Sequence, residues 1–183
     1  MELRQYQKDI IASMRESMRK GNKRIILCAP TGSGKTVMFT YMVKQAIEKG
    51  GRVLIFTHRK ELLNQSSRTF KNFGLTPELI TANSKPDLTC SLHVSMVETF
   101  NRRIDDYEFF LQTRTLIIID EAHLQPFTKL FEFFNKNTYV IGCTATPYRK
   151  GKQKSLSDFY TDIVQKIDTP ELIADGHLVD CIS

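Results

Sequence analysis

The chain has 183 residues, of which 41% are hydrophobic and 25% are charged, which predicts one folded domain with a substantial core and argues against a disordered chain. The formal net charge of +6 favours a polyanionic partner, although many cytosolic proteins are as basic. The four cysteines form no C-x-x-C pair, so neither a zinc site nor a thioredoxin-type site is indicated. No apolar run approaches the roughly 20 residues of a membrane span, and residues 1–10 do not resemble a signal peptide. These features predict a cytoplasmic protein.

Hydrophobic periodicity predicts that helices and strands alternate along the first half of the chain. Apolar side chains at helical spacing favour helices, whereas short apolar runs favour buried strands. The predicted helices of this half comprise residues 3–20, 35–49, 59–73 and 95–103. The predicted strands comprise residues 24–28, 52–56, 79–81 and 90–94.

The second half of the chain continues the alternation. The predicted strands here comprise residues 115–119, 139–142 and 162–166, the predicted helices comprise residues 127–134 and 170–175, and a basic loop covers residues 148–154. Apolar strands that alternate with helices predict an α/β fold with a mainly parallel sheet of about seven strands and helices on both faces. Ligands of such sheets bind at the carboxyl ends of the strands, so the turns that follow strands are where we expect the functional site.

One of these turns has the composition of a phosphate-binding loop. Residues 29–36 follow a predicted strand and open a predicted helix, so the backbone N–H groups and the helix N-terminus can surround a phosphate. Lys35 is expected on the β- and γ-phosphates of a nucleotide, and the Thr36 hydroxyl on Mg²⁺. The strict pattern has glycine at Ala29, where a small residue suffices. The residues expected to hold the nucleotide here are Thr31, Gly32, Ser33, Gly34, Lys35 and Thr36.

A second turn carries an acidic pair. The most apolar predicted strand ends in Asp120 and Glu121, which are followed by Ala122 and His123. Carboxylates at the end of a buried strand are costly unless they bind something. Asp120 is expected to hold Mg²⁺, and Glu121 is expected to orient and polarise the attacking water. These two carboxylates and Lys35 are the predicted catalytic residues, and His123 is expected to link the γ-phosphate region to another segment.

These motifs resemble those of superfamily 2 helicases. Residues 29–36 are similar to motif I of that family, and the sequence Asp-Glu-Ala-His at 120–123 is similar to motif II. Residues 144–146 resemble motif III, which couples ATP hydrolysis to movement in that family. The resemblance implies that His123, Thr144 and Thr146 serve this coupling. Residues 142–149 look most like bacterial and phage DNA helicases of the DEAD/H type, near the motor subunits of restriction enzymes.

Three further segments match the family's pattern. Residues 3–7 resemble the Q-type motif, which implies that Arg4 packs near adenine and that Gln7 hydrogen-bonds the adenine edge. Residues 56–65 resemble motif Ia, and residues 95–99 fall where motif Ib or Ic would lie. Side chains in these segments are expected to contact the nucleic-acid backbone. The contacts that they imply are His58, Arg59 and Thr99.

The resemblance implies a RecA-like P-loop NTPase domain over residues 1–183. It implies ATP and Mg²⁺ as cofactors and nucleic acid as the partner, DNA rather than RNA. We find no motif IV, V or VI, and motif VI carries the family's arginine finger on the second RecA-like domain. We therefore expect that this second domain is absent from the chain, and that the chain alone hydrolyses ATP very slowly.

Other interpretations remain open, among them the motor subunit of a restriction system and an RNA helicase. A small-molecule kinase would explain Lys35 but not residues 144–146, nor Arg4 with Gln7. A nucleic-acid-binding module with a degenerate ATP site would not need an intact phosphate loop and acidic pair. The basic loop at 148–154 could contact nucleic acid, the second domain or only solvent. Three aromatic residues at helical spacing are predicted to pack in the core rather than to stack on bases: Phe127, Phe131 and Phe134.

Overall fold

A computed structural model describes residues 2–58, 69–82, 84–147 and 155–167. Its α-helices are α1 (Gln5–Arg19), α2 (Lys35–Glu48), α3 (Val97–Arg102) and α4 (Ile104–Gln112). Residues 69–72 are also helical and belong to the predicted helix 59–73. Arg59, the basic loop at 148–154 and the predicted helix 170–175 lie outside the described residues. None of the described helices has the length and apolar character that crossing a membrane requires.

All of the described strands belong to one parallel sheet. The strands are β1 (Arg24–Cys28), β2 (Val53–Thr57), β3 (Glu78–Ile80), β4 (Leu92–Met96), β5 (Leu116–Asp120), β6 (Tyr139–Thr144) and β7 (Asp162–Val164). They pair in the order β3-β4-β2-β5-β6-β1-β7, and each pairing is parallel. The predicted α/β fold is therefore confirmed, and β5, β6 and β1 are direct neighbours at its centre.

Helices cover both faces of the sheet, as the alternating pattern predicted. Along β5, Leu116 and Ile118 pack into a core with α1 and α2, whereas Ile117 and Ile119 pack into a second core with α3 and α4. Successive side chains of a strand point to opposite faces, so a strand buried on both faces is apolar at every position. This pattern leaves Asp120 as the first polar residue at the carboxyl end of β5.

Two strands extend two residues further toward the carboxyl edge than predicted. Ser95 and Met96 belong to β4, because Ser95 pairs in register with Ile80 and Met96 pairs with Thr57. Helix α3 consequently begins at Val97 rather than at Ser95. At the other strand, β6 continues to Thr144, whose register partner is Cys28 of β1.

The chain between β4 and β6 contains an element that we did not predict. Helix α4 buries Ile104, Tyr107 and Leu111, and this helical spacing is the signal that identifies it. After β5, residues Gln125–Glu132 form a 3₁₀ helix, in the region where we predicted a helix over 127–134. Its buried side chains, Phe127, Leu130 and Phe131, fall at α-helical spacing, so no local signal distinguishes the 3₁₀ form from an α-helix. The core positions predicted for three aromatic side chains are confirmed, because each is less than a tenth exposed: Phe127, Phe131 and Phe134.

Candidate nucleotide site

The turn between β1 and α2 depends on two glycines in the left-handed region. Gly32 has φ 84° and Gly34 has φ 79°, a conformation that disfavours side chains. A Cβ atom on Gly34 would lie 2.6 Å from Nε2 of Gln7. An alanine at position 34 would therefore displace the Gln7 amide from the loop.

Lys35 is the first residue of α2, and its ammonium group lies in the same turn. Its Nζ donates hydrogen bonds to the carbonyl oxygens of Ala29 and Pro30 at 3.0 and 3.1 Å. Thr36 is half-buried beside it, and Thr31 is exposed at the turn's outer end. The loop thus combines a cation, a hydroxyl and a helix N-terminus, which is an arrangement able to hold a phosphate chain and a hard cation.

Helix α1 contacts the turn through two neighbouring side chains. The Tyr6 hydroxyl donates to the carbonyl oxygen of Ser33 at 2.8 Å, and Gln7 Nε2 donates to the same oxygen at 3.2 Å. Gln7 Oε1 also accepts the N–H of Arg4 at 3.1 Å, and the Arg4 side chain is exposed. Gln7 therefore contacts the loop directly, and Arg4 is joined to it through Gln7. Sequence reasoning missed Tyr6, although it lies within the segment that resembles the Q-type motif.

The acidic turn lies two strands away from the phosphate loop. Asp120 is only 8% exposed and pairs in register with Cys143 of β6. Glu121 has φ 56°, which is uncommon for a residue with a side chain. This sharp turn lets the N–H of Ala122 donate to the carbonyl oxygen of Cys143 at 2.9 Å. The two predicted catalytic carboxylates thus occupy the carboxyl edge next to the end of β6.

His123 connects the acidic turn to the end of β6. The Thr144 hydroxyl donates to the carbonyl oxygen of Thr146 at 2.9 Å and accepts the Thr146 N–H at 3.0 Å. Its only proton is then in use, so we infer that His123 carries a proton on Nδ1 and donates it to Thr144 Oγ1, 2.9 Å away. Glu121 Oε2 lies 3.4 Å from the same nitrogen. The three residues predicted to couple hydrolysis to movement therefore form one hydrogen-bonded group.

Charged groups of both turns influence the buried Cys143 thiol near the end of β6. Burial raises the pKa of the Cys143 thiol, the negative charges of Asp120 and Glu121 raise it further, and Lys35 opposes them. Burial also raises the pKa of Cys28 at the end of β1, again opposed by Lys35. One small region therefore contains the ammonium and both carboxylates.

A divalent cation here would need ligands besides protein carboxylates. The described residues contain no cluster of three or more His, Cys, Asp or Glu side chains that could hold a metal ion. The ligands predicted for Mg²⁺ are the Asp120 carboxylate and the Thr36 hydroxyl. Such a sparse oxygen set suits Mg²⁺, which keeps several waters and takes its remaining ligands from substrate phosphates.

Two of the residues predicted to contact nucleic acid, His58 and Thr99, lie at the same edge but on the other side of β5. His58 directly follows β2 and is half-buried. Thr99 is half-buried in the first turn of α3, directly after β4. In the sheet order, β4 and β2 lie on the opposite side of β5 from β1, so these residues extend the carboxyl edge away from the phosphate loop.

Comparisons with known proteins agree with this architecture. Residues 1–149 match the family model described as "Type III restriction enzyme, res subunit". The protein IRC3 of Saccharomyces cerevisiae, whose name assigns it to the ATP-dependent helicases, is 32% identical over 97% of this chain and 28% of its own length. The Type I restriction enzyme EcoAI endonuclease subunit of Escherichia coli is 26% identical over 96% of this chain and 23% of its own length.

Solved structures with this fold include a restriction-modification enzyme and a helicase domain. The Type ISP restriction-modification enzyme LlaGI, solved with a DNA substrate mimic, aligns with a TM-score of 0.78 and 19% identity over 97% of this chain and 21% of that chain. The helicase domain of Hef from Pyrococcus furiosus aligns with a TM-score of 0.73 and 22% identity over 94% of this chain and 40% of that chain.

The chain spans less than a third of the length of either sequence relative. The family model, by contrast, covers most of the chain, and the sheet is that of RecA-like helicase domains. The chain therefore belongs to the family of Type III restriction enzyme res subunits, as a helicase-like, ATP-binding domain of the amino-terminal RecA-like kind found in superfamily 2.

Proposed function

We propose that this chain binds ATP with Mg²⁺ and hydrolyses it, when paired with a second RecA-like domain, to move along nucleic acid. One observation carries the proposal. Lys35 Nζ binds the carbonyl oxygen of Ala29, whose N–H donates to the carbonyl oxygen of Thr144. Asp120 pairs in register with Cys143, the residue before Thr144, so the ammonium and the acidic pair meet at the end of β6. Phosphoryl transfer needs this combination, because its catalysis is mostly positioning and charge stabilisation.

The proposed roles follow from the position of each group. Lys35 neutralises the β- and γ-phosphates, while the loop N–H groups surround them. The Thr36 hydroxyl and the Asp120 carboxylate hold Mg²⁺. Glu121 polarises the attacking water, and its partly exposed side chain leaves access for that water.

Adenine recognition is assigned to the start of α1. Gln7 Oε1 accepts one hydrogen bond from the Arg4 N–H, and an amide oxygen can accept a second one. The adenine amino group supplies that second donor in our proposal, while the Arg4 side chain packs against the ring. Because Gln7 Nε2 also holds the Ser33 carbonyl oxygen, adenine binding and loop conformation depend on the same side chain.

The active site is proposed to be completed by a second domain. Lys35 and Mg²⁺ neutralise only part of the charge that develops on the γ-phosphoryl oxygens. In P-loop NTPases an arginine from a neighbouring element accelerates the reaction by roughly 10³- to 10⁵-fold. We propose that the second RecA-like domain supplies it, which accords with the greater length of the relatives.

Nucleic acid is proposed to bind along the carboxyl edge near His58, Arg59 and Thr99. Hydrolysis of the γ-phosphate would be coupled to the nucleic-acid-binding residues through His123, Thr144 and Thr146. We favour DNA, because LlaGI was solved with a DNA substrate mimic and the EcoAI subunit belongs to a restriction enzyme.

A titration with a fluorescent ATP analogue and Mg²⁺ tests the proposal. We expect saturable binding that Lys35→Ala weakens by at least about tenfold, since a charge-assisted contact to phosphate is lost. The exposed Lys129→Ala is the matched control and should bind as the unmodified chain does. Unchanged affinity in Lys35→Ala would show that Lys35 does not contribute to nucleotide binding.

A steady-state ATPase assay tests the two-domain part of the proposal. It compares this chain alone with a protein that also carries the second RecA-like domain, each with single-stranded DNA, with RNA and without nucleic acid. We expect slow, unstimulated turnover by the chain alone, and stimulation by DNA when both domains are present. Equal rates for the two proteins would contradict the shared active site, and stronger stimulation by RNA would contradict the preference for DNA.

A further inference from the structure

A groove of about 520 Å³ opens at the amino edge of the sheet, opposite the edge that carries the nucleotide residues. The first residues of β5 and β6, Leu116 and Tyr139, line it between the last turns of α1 and α2. Its volume lies within the range of about 300 to 1,000 Å³ that is typical of ligand pockets. We call it the amino-edge groove. None of the roles proposed above uses it.

The inner part of the amino-edge groove is apolar. Met18, Met42, Leu116 and Ile141 line it, and all four side chains belong to or pack against the core on the α1 and α2 face. Methionine side chains adapt their shape to a partner, and they are common at peptide-binding surfaces. The groove can therefore accept a bulky aliphatic or aromatic side chain.

The rim of the groove is cationic. Its charged lining residues are Arg15, Arg19 and Lys49, and no Asp or Glu lines it. Arg15 donates to the neutral Gln45 side chain, and within the described part of the chain none of the three cations forms an ion pair. The nearby Lys20 and Lys44, in contrast, pair with Glu16 and Glu48.

The helix ends explain only part of this charge. The C-termini of α1 and α2 each carry about half a negative elementary charge, so together they offset about one of the three cations. An excess of about two positive charges remains around an apolar interior. Such a surface is complementary to a ligand that has an apolar centre and acidic flanks.

We propose that the amino-edge groove docks an acidic peptide segment of a partner protein. One apolar side chain of that segment enters between Met18 and Met42, and its carboxylates contact Arg19 and Lys49. Nucleic acid would match the rim but not the aliphatic interior, and a second copy of this chain, with a net charge of +6, would be repelled. Because the groove and the nucleotide residues lie at opposite edges, the partner can stay bound throughout nucleotide turnover.

Fluorescence anisotropy with a labelled peptide of about 12 residues, in which acidic residues flank a central Leu-Phe pair, tests this proposal. We expect saturable binding that Arg19→Glu with Lys49→Glu weakens by at least about tenfold, because attraction becomes repulsion. A peptide with Gly-Ser at its centre should bind at least about tenfold more weakly, because it has no apolar anchor. The matched control, Lys85→Glu with Lys129→Glu, changes net charge equally at exposed sites outside the groove and should bind normally.

Several outcomes overturn the proposal. They are the absence of saturable binding, equal weakening in the control variant, and equal affinity for the Gly-Ser peptide. The proposal also fails if a single-stranded oligonucleotide binds more tightly than the peptide and loses that binding on charge reversal in the groove. None of these outcomes bears on the proposed ATPase, which the Lys35→Ala titration tests separately.

Discussion

Nδ1 of His123 lies 2.9 Å from the Thr144 hydroxyl oxygen, and this contact joins the turn after β5 to the end of β6. The Thr144 hydroxyl also binds both backbone polar groups of Thr146. One buried hydroxyl therefore organises the acidic turn and the segment that follows β6. Thr144 therefore binds both of the other predicted coupling residues, His123 and Thr146.

Thr144→Val is expected to lower the free energy of unfolding by about 1–3 kcal/mol, because the Thr146 N–H loses its hydrogen bond and the His123 ring loses its bond to Thr144. Thr40→Val is the matched control. Thr40 is equally buried, but its hydroxyl has no hydrogen-bond partner among the described residues. We expect that control to be neutral or stabilising. Chemical denaturation measures both variants, and equal destabilisation would show that the Thr144 hydrogen bonds contribute no stability of their own.

Tyr6→Phe is expected to weaken nucleotide binding by about two- to tenfold, because the Ser33 carbonyl oxygen loses a hydrogen bond that holds the loop. The aromatic ring stays in place, so the fold should be intact. Tyr41→Phe removes a hydroxyl that contacts only Gln45 among the described residues, and it should not change nucleotide affinity. The fluorescent-analogue titration compares the two variants, and indistinguishable affinities would argue that Tyr6 does not position the loop.

A comparison of Gly34→Ala with Gly50→Ala distinguishes the cost of backbone strain from the loss of nucleotide binding. The two glycines have nearly the same φ, 79° and 78°, so each substitution is expected to cost about 1–2 kcal/mol of stability from strain alone. A Cβ atom on Gly34 would also collide with Gln7, whereas nothing lies within 4 Å of one on Gly50. We therefore expect Gly34→Ala to be the less stable variant and the only one to lose nucleotide binding. Normal binding by Gly34→Ala would contradict the close packing of Gln7 against the loop.

Glu121→Gln is expected to bind ATP with Mg²⁺ normally and to hydrolyse it about 10²- to 10⁴-fold more slowly in a protein that carries both RecA-like domains. The amide keeps the size of the side chain but removes the carboxylate that polarises water. Single-turnover hydrolysis and nucleotide titration measure the two effects separately. Glu132→Gln, an exposed change on the 3₁₀ helix, is the control. Near-normal turnover by Glu121→Gln would mean that another group polarises the attacking water.

His93 is expected to make stability depend on pH in the mildly acidic range. Burial lowers the pKa of this fully enclosed ring, and the Arg114 charge lowers it further, while Asp87 and Glu78 oppose them. The unfolded chain then binds the proton more readily than the folded one, so stability falls as pH drops below about 6.5. His93→Leu should remove this part of the pH dependence in urea unfolding measured from about pH 7.5 to 5. An unchanged pH profile would mean that His93 titrates equally in both states.

Local features of the chain predicted the chemistry at the strand ends. The loop at 29–36 and the acidic pair at 120–121 each lie within one short segment, and residue type and spacing are sufficient to identify them. That they share an edge also followed from the sequence, because the carboxyl ends of parallel strands meet on one side of a sheet. Helix α4 was missed even though its apolar spacing is local. The 3₁₀ geometry after β5 has no such signal, because its buried residues keep α-helical spacing.

Only the tertiary structure decided which side chains touch. Tyr6 meets Ser33 across 27 residues and His123 meets Thr144 across 21, and both contacts depend on strand order and register, which no local pattern contains. The amino-edge groove likewise forms only where the ends of α1 and α2 pack over the first residues of β5 and β6. Backbone conformation and side-chain chemistry are local properties, whereas the distance between two segments is set by the packing of the whole sheet and its helices.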